Sequence, residues 1–145
     1  MIEMYGIEYV EDAGESGQWI QHTANKQNGF RLICAEGENH WVSQDRRGMR
    51  YLLMMVRDAS EPLRIRAVRM LESTYPAPAP APFACSDMEL ERIRDVAIRT
   101  LKLCMEDTFT DCPTYEQVTW IGDARNEALY NYQVFGCRDI VRRTL

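Results

Sequence analysis

DCPTYEQVTWIGDARNEAL, residues 111–129, gathers four carboxylates (Asp111, Glu116, Asp123, Glu127), two aromatics and several turn and helix-start signals in one span. Asp111, Glu116 and Asp123 are separated by five and seven residues. Turns at Pro113 and Gly122 would fold them toward one pocket beside Tyr115 and Trp120. Hydrolysis of a glycosidic bond needs such a mixture. One carboxylic acid protonates the leaving oxygen, another carboxylate activates water or attacks, and further acids hold sugar hydroxyls. Aromatic walls stack on apolar sugar faces and, by desolvation, keep a nearby carboxyl protonated. The plainer alternative is that helix starts attract acids: Asp123 as an N-cap, Asp111 as a turn residue, Glu116 as a first-turn acid. Trp120 and Tyr115 would then be core. Glu127, on the helix that follows, reads as solvated or structural, with Arg125 or an adjacent helix as its salt-bridge partner.

Outward from this stretch the period is helical. Leu90, Ile93, Ala97, Leu101 and Cys104 recur at three- and four-residue steps and predict one apolar helix face. Ser86-Asp87-Met88-Glu89 fits a capping box before it, with the Ser86 hydroxyl and the Glu89 carboxylate answering free backbone donors. A loop is expected over 106–111. Asp123 would cap a second helix over 124–135 that Gly136 ends, and a third begins at Arg138. Upstream, YPAPAPAPF (75–83) removes alternate backbone donors and predicts an extended, semi-rigid spacer. Before it, strands and turns are expected. Arg50 to Arg57 (RYLLMMVR) fits a buried strand without excluding a helix. Leu63, Ile65 and Ala67 alternating with Arg64 and Arg66 fit a half-exposed strand, with a bulge at Val68 where the alternation shifts phase. Residues 11–17 and 37–39 read as loops.

At 145 residues and 46% apolar content the chain can build a core. A net charge of −5 argues against a nucleic-acid footprint. No run is long enough for a membrane span, and the N-terminus lacks the pattern of a signal peptide, so a cytoplasmic location is expected. The five cysteines (Cys34, Cys85, Cys104, Cys112, Cys137) are odd in number and widely spaced. That pattern predicts buried free thiols in a reducing compartment. His22 and His40 lie far from any cysteine pair, so no metal and no cofactor is expected.

The string DTFTDCPTYEQVTWIGDAR (107–125) resembles the signature of the bacterial α-L-rhamnosidases, a family of glycoside hydrolases. In that family an Asp-Cys-Pro is followed by a Glu and then by Trp-x-Gly-Asp-Ala-Arg. RRGMRYL (46–52), ESTYP (72–76) and Phe83 with CSD (85–87) are similar to its junction between β-sandwich and helical domain. TLKLCMEDTFTDCP (100–113) and NEALYNYQVFG (126–136) are similar to the first helices of its catalytic domain. The resemblance implies the end of a β-sandwich module over 1–74, a proline-rich linker over 75–84, and the first helices of an (α/α)6 six-hairpin toroid over 85–145.

Position by position, Glu116 matches the general acid, and Asp111 and Asp123 match acids that bind the rhamnose hydroxyls. Trp120 lies within the same motif and is expected to shape the sugar pocket. Thr114-Tyr115 stand where the family commonly has Lys-Arg, which bears on substrate preference. The family hydrolyses terminal α-L-rhamnosides by inversion. Its water-activating carboxylate comes from a later part of the toroid, expected beyond Leu145, so these residues alone are expected to hydrolyse little. The opening hairpin would present an apolar face, and self-association through it is expected. The alternative reading is a non-catalytic carbohydrate-binding or helical interaction module that keeps the motif.

Overall fold

The computed structural model describes residues 1–12, 19–22 and 28–145. Most of the loop expected over 11–17 lies outside the described residues. The chain divides into two compact units, Met1–Leu71 and Glu72–Leu145.

Among the described residues the first unit holds five strands: β1 (Ile2–Ile7), β2 (Tyr9–Asp12), β3 (Trp19–His22), β4 (Gly29–Leu32) and β5 (Tyr51–Val56). They form an antiparallel sheet in the order β4-β1-β5 and a β2-β3 pair. The central strand β1 sets Met4 opposite Phe30 on one side and Met54 on the other. RYLLMMVR is thus a strand, and its middle residues are half-buried. Gly6 is required where Asn28 crosses. The Asn28 amide donates to the carbonyls of Gly6 (3.2 Å) and Gly48 (2.8 Å), and a Cβ at position 6 would run into that amide. Nearby, Trp41 stacks on Phe30 with ring centroids 4.9 Å apart, and the Arg47 guanidinium lies over Phe30.

Glu3 is buried in this sheet and meets two cations. Arg57 Nε lies 2.5 Å from Oε2 and Arg31 Nη2 lies 2.7 Å from Oε1. The hydrogen bonds from Arg57, then Arg31, hold the Glu3 carboxyl below its usual range. A lowered folded value stabilises the unit above the unfolded carboxyl value of about 4.3, and this is lost as pH falls through the lower folded one. Glu3→Gln should therefore lower the melting temperature of this unit at pH 7 and make little difference at pH 2.5. Thermal scans at the two pH values check this, and an equal penalty at both would refute it.

The strand expected over Leu63 to Ala67, with its bulge at Val68, is absent. Residues 57–87 carry no helix or strand, and Leu63, Ile65, Val68, Met70 and Leu71 are exposed. Alternation makes a strand only where a neighbouring edge supplies hydrogen bonds, and among the described residues none pairs with this segment.

The second unit contains α1 (Met88–Leu103), α2 (Ile121–Val134) and α3 (Arg138–Thr144). The cap of α1 is Asp87, whose Oδ1 accepts the Glu89 N–H at 2.9 Å, and not the expected Ser86–Glu89 box. An ionised carboxylate at the positive helix end is a stronger acceptor than a hydroxyl. The predicted face of α1 is buried only toward its end. Ile98, Leu101 and the C-cap Cys104 are covered, whereas Leu90, Ile93 and Ala97 are exposed. Ile98 and Leu101 join Met105, Phe109, Ala124, Phe135, Ile140 and Val141 in one core.

Helix α2 begins at Ile121, before the expected Ala124. Gly122 is thus helical, and Asp123 is a first-turn residue, not the cap. Trp120 occupies the cap position, where its side chain makes no capping bond and its carbonyl accepts the Ala124 N–H at 2.8 Å. Gly136, at φ 69°, ends the helix, and its N–H bonds to the Asn131 carbonyl. The buried Asn131 side chain donates to the Cys137 carbonyl at 2.6 Å and ties α2 to α3.

The proline stretch carries no helix or strand and belongs to the second unit. Tyr75 N–H bonds to the Met105 carbonyl (2.8 Å) and Ala81 N–H to the Val134 carbonyl (2.7 Å). Arg94 donates to the Ala81 carbonyl and lies over the Phe83 ring. All five thiols are free, but only Cys104 is buried. The others are half-buried, short of the burial expected from cysteine usage. No helix among the described residues is long and apolar enough to cross a membrane.

Candidate active site

The acidic stretch is positioned from its upstream end by the core. Met105 and Phe109 form an isolated antiparallel bridge that closes the turn after α1, and both side chains are fully buried. Thr110 N–H bonds to the Cys104 carbonyl at 2.9 Å. The last turn of the chain adds a tether, since the Thr144 hydroxyl accepts the Phe109 N–H at 3.0 Å. Asp111 thus leaves a rigid base.

From there the chain makes a closed loop. Asp111 N–H donates to the Val118 carbonyl at 3.0 Å, and Val118 N–H donates back to Asp111 Oδ1 at 3.1 Å. Inside it, Cys112 Sγ accepts the Glu116 N–H at 3.3 Å. Gln117 sits at φ 54°, a left-handed conformation uncommon for a residue with a side chain. Its own amide supports this geometry by donating to the Pro113 carbonyl at 2.8 Å. The reversal at Gln117 lets Val118 face Asp111 while Glu116 stays outside. Thr119 then ties the exit to the base through a 2.7 Å bond to the Phe109 carbonyl.

Glu116 and Trp120 form a pair: the indole N–H donates to Glu116 Oε2 at 2.6 Å, with both side chains exposed. Asp123 follows in the first turn of α2, where a negative charge is favoured by the helix dipole. Glu127 lies one turn further on. Of the roles expected for Glu127, the salt bridge to Arg125 is not formed. Arg125 turns toward Asn126 (3.4 Å), and Glu127 is half-buried beside two other acids. Burial first, then the charges of Asp123 and Asp111, push its carboxyl up to about 7. Asp111, Asp123 and Glu127 thus form one electrostatic group, with the Glu116–Trp120 pair on the connecting loop. The i, i+4 spacing from Asp123 was the available sign of Glu127; its burial was not visible in the sequence.

Among the described residues no group of His, Cys, Asp or Glu is arranged to hold a metal ion. An open cleft of about 420 Å³ lies elsewhere in this unit, lined by Ala81, Pro82, Phe83, Leu90, Ile93 and Arg94 with Gln133 and Val134. None of the four acids reaches it.

The arrangement can deliver a proton from an exposed carboxyl beside an aromatic and can accept hydroxyl hydrogen bonds at neighbouring carboxylates. No curated protein and no solved structure matches the chain. Residues 79–145 match the family model of the bacterial alpha-L-rhamnosidase 6 hairpin glycosidase domain, a glycosidase family and the one to which the motif from Asp111 to Arg125 points.

Proposed function

We propose that the second unit is the opening part of an inverting α-L-rhamnosidase catalytic domain, in which Glu116 is the general acid. The observation that carries this reading is the Glu116–Trp120 pair on a loop locked by Asp111. Oε2 is held by the indole, which orients the other carboxyl oxygen for the glycosidic oxygen. Glu116 gives its proton to that oxygen as the bond to the anomeric carbon breaks, and water attacks from the opposite face. Asp111 and Asp123 accept hydrogen bonds from the rhamnose hydroxyls, and Trp120 forms a wall of the pocket. The first unit is read as the end of a β-sandwich module, and the proline stretch as the join between the two.

Inversion requires a carboxylate that activates water across the ring, and the resemblance places none within these residues. The chain is therefore expected to bind L-rhamnose and to turn over an aryl α-L-rhamnoside only slightly. Calorimetric titration with L-rhamnose should saturate, and Asp123→Asn should weaken it about tenfold or more, the size of one lost charge-assisted hydrogen bond. A wild-type chain that shows no saturable binding would sink the reading. Saturable binding that persists without turnover in a protein supplied with the second carboxylate would favour the carbohydrate-binding module. Brisk hydrolysis by the 145-residue chain, lost in Glu116→Gln, would overturn the expectation of low turnover.

A further inference from the structure

An exposed hydrogen bond between two side chains holds little by itself. Water competes for both partners, and each chain keeps its rotamer freedom unless something else fixes it. Glu116 and Trp120 are such a pair, both exposed and joined by one 2.6 Å bond. A proton donor has to stay in place, since a displacement of about 1 Å can cost on the order of 100-fold in rate. The fixed point for Glu116 has to come from its backbone.

Two sulfurs lead from the core to that backbone. Cys104, the buried C-cap of α1, donates its thiol to the Asp111 carbonyl at 3.8 Å. The Asp111 N–H is bonded to the Val118 carbonyl, so both peptides flanking Asp111 are held. Cys112 leaves this fixed point, and its Sγ accepts the Glu116 N–H at 3.3 Å. Beside it the Gln117 amide donates to the Pro113 carbonyl at 2.8 Å, a bond of the same four-residue span. The two differ in what they hold. Gln117 fixes the corner at Pro113, whereas Cys112 fixes the peptide of Glu116 itself.

We propose that Cys112 is the positioning residue of Glu116: its sulfur holds the Glu116 N–H and thereby aims the carboxylate at the Trp120 indole. The role of Glu116 as proton donor rests on the rhamnoside reading above; its positioning by Cys112 does not. Cys112 is assigned no contact with substrate and acts through Glu116. Its thiol is free of any disulfide and half-buried, which leaves the sulfur able to accept. Because the Asp111–Cys112 peptide is anchored from Cys104, loss of the Cys112 side chain releases Glu116 without opening the loop at its base.

The test follows the Trp120 indole N–H by NMR, with Trp120→Phe identifying its signal among the three tryptophans. Glu116→Ala gives the position of the indole signal without its partner. Cys112→Ala should move the signal most of the way from wild type to that position, with the melting temperature nearly unchanged. Cys112→Ser keeps an acceptor on a shorter bond and should fall between the two. A folded Cys112→Ala protein whose indole signal stays at the wild-type position would overturn the inference. Cys112→Val fills the sulfur's space without an acceptor and decides the matter in the same way if the alanine variant does not fold. If neither folds, Cys112 is a structural residue and the inference fails.

Titration with L-rhamnose separates this inference from the reading it deepens. A shifted indole in Cys112→Ala, with no rhamnose bound by wild type, would leave the positioning standing and remove the sugar site. Saturable rhamnose binding with an unshifted indole would do the reverse.

Discussion

Phe109→Ala should lower the stability of the helical unit by about 3–5 kcal/mol, the usual cost of emptying a buried phenylalanine site. Phe109 is fully buried and lies in the loop between α1 and the acidic stretch. It shares one buried core with Ile98 and Leu101 of α1, Ala124 of α2 and Ile140 of α3, so residues of that core can fill the space only by moving a helix. Its backbone is equally committed, with N–H to Thr144 and carbonyl from Thr119. For a unit of this size total stability is on the order of 4–11 kcal/mol, so the substitution removes a large fraction of it. Phe109→Leu, which keeps most of the volume, should cost less than half as much. Denaturant unfolding followed by helix signal checks both. A loss under about 1 kcal/mol for alanine would mean that the core does not anchor the loop.

Phe109 also shows what could and could not be read along the chain. The helices were legible, because apolar spacing and the glycine stop at Gly136 are local signals. Their burial was not. The face from Leu90 to Cys104 has one period throughout, yet only the end from Ile98 onward meets the core. Which turns of a helix find a partner depends on chain far away in sequence. The segment from Leu63 to Ala67 failed for the same reason: alternation states which face a strand would bury, but the hydrogen bonds must come from another edge.

At the site, the acids were visible and their setting was not. Asp123 read as a cap because Gly122 reads as a turn residue, whereas α2 starts two residues before it and places Asp123 in the first turn. The Glu116–Trp120 bond and the loop closed by Asp111 depend on Gln117 taking a left-handed conformation that nothing in its residue type announces. Glu127 read as a solvated or structural acid. Burial and two neighbouring charges change its chemistry; Asp123 is its neighbour on α2, whereas the burial and the charge of Asp111 come with the tertiary fold.

Asp111 is where structure and chemistry are most closely joined, and two substitutions there should separate them. Its carboxylate accepts the Val118 N–H at 3.1 Å while its backbone N–H binds the Val118 carbonyl, so one residue closes the loop that carries Glu116. Asp111→Asn keeps an acceptor oxygen of the same shape and should leave the loop and the melting temperature almost intact. It removes the negative charge proposed to hold a rhamnose hydroxyl, and L-rhamnose affinity should fall about 10- to 100-fold, the range for a hydrogen bond to a charged partner. Asp111→Ala loses the acceptor as well. The Val118 N–H is in an exposed stretch and can turn to water, so the added stability cost should be about 0.5–1.5 kcal/mol. Removing the Asp111 charge also takes away one of the two charges that push Glu127 upward. Its titration, followed by carboxyl carbon NMR, should move down from about 7 in both variants, but only part of the way, because burial is the larger cause. If Asp111→Asn bound rhamnose as tightly as wild type while Asp111→Ala lost both binding and stability, Asp111 would be a loop clamp alone, and the sugar contact would have to be assigned to Asp123.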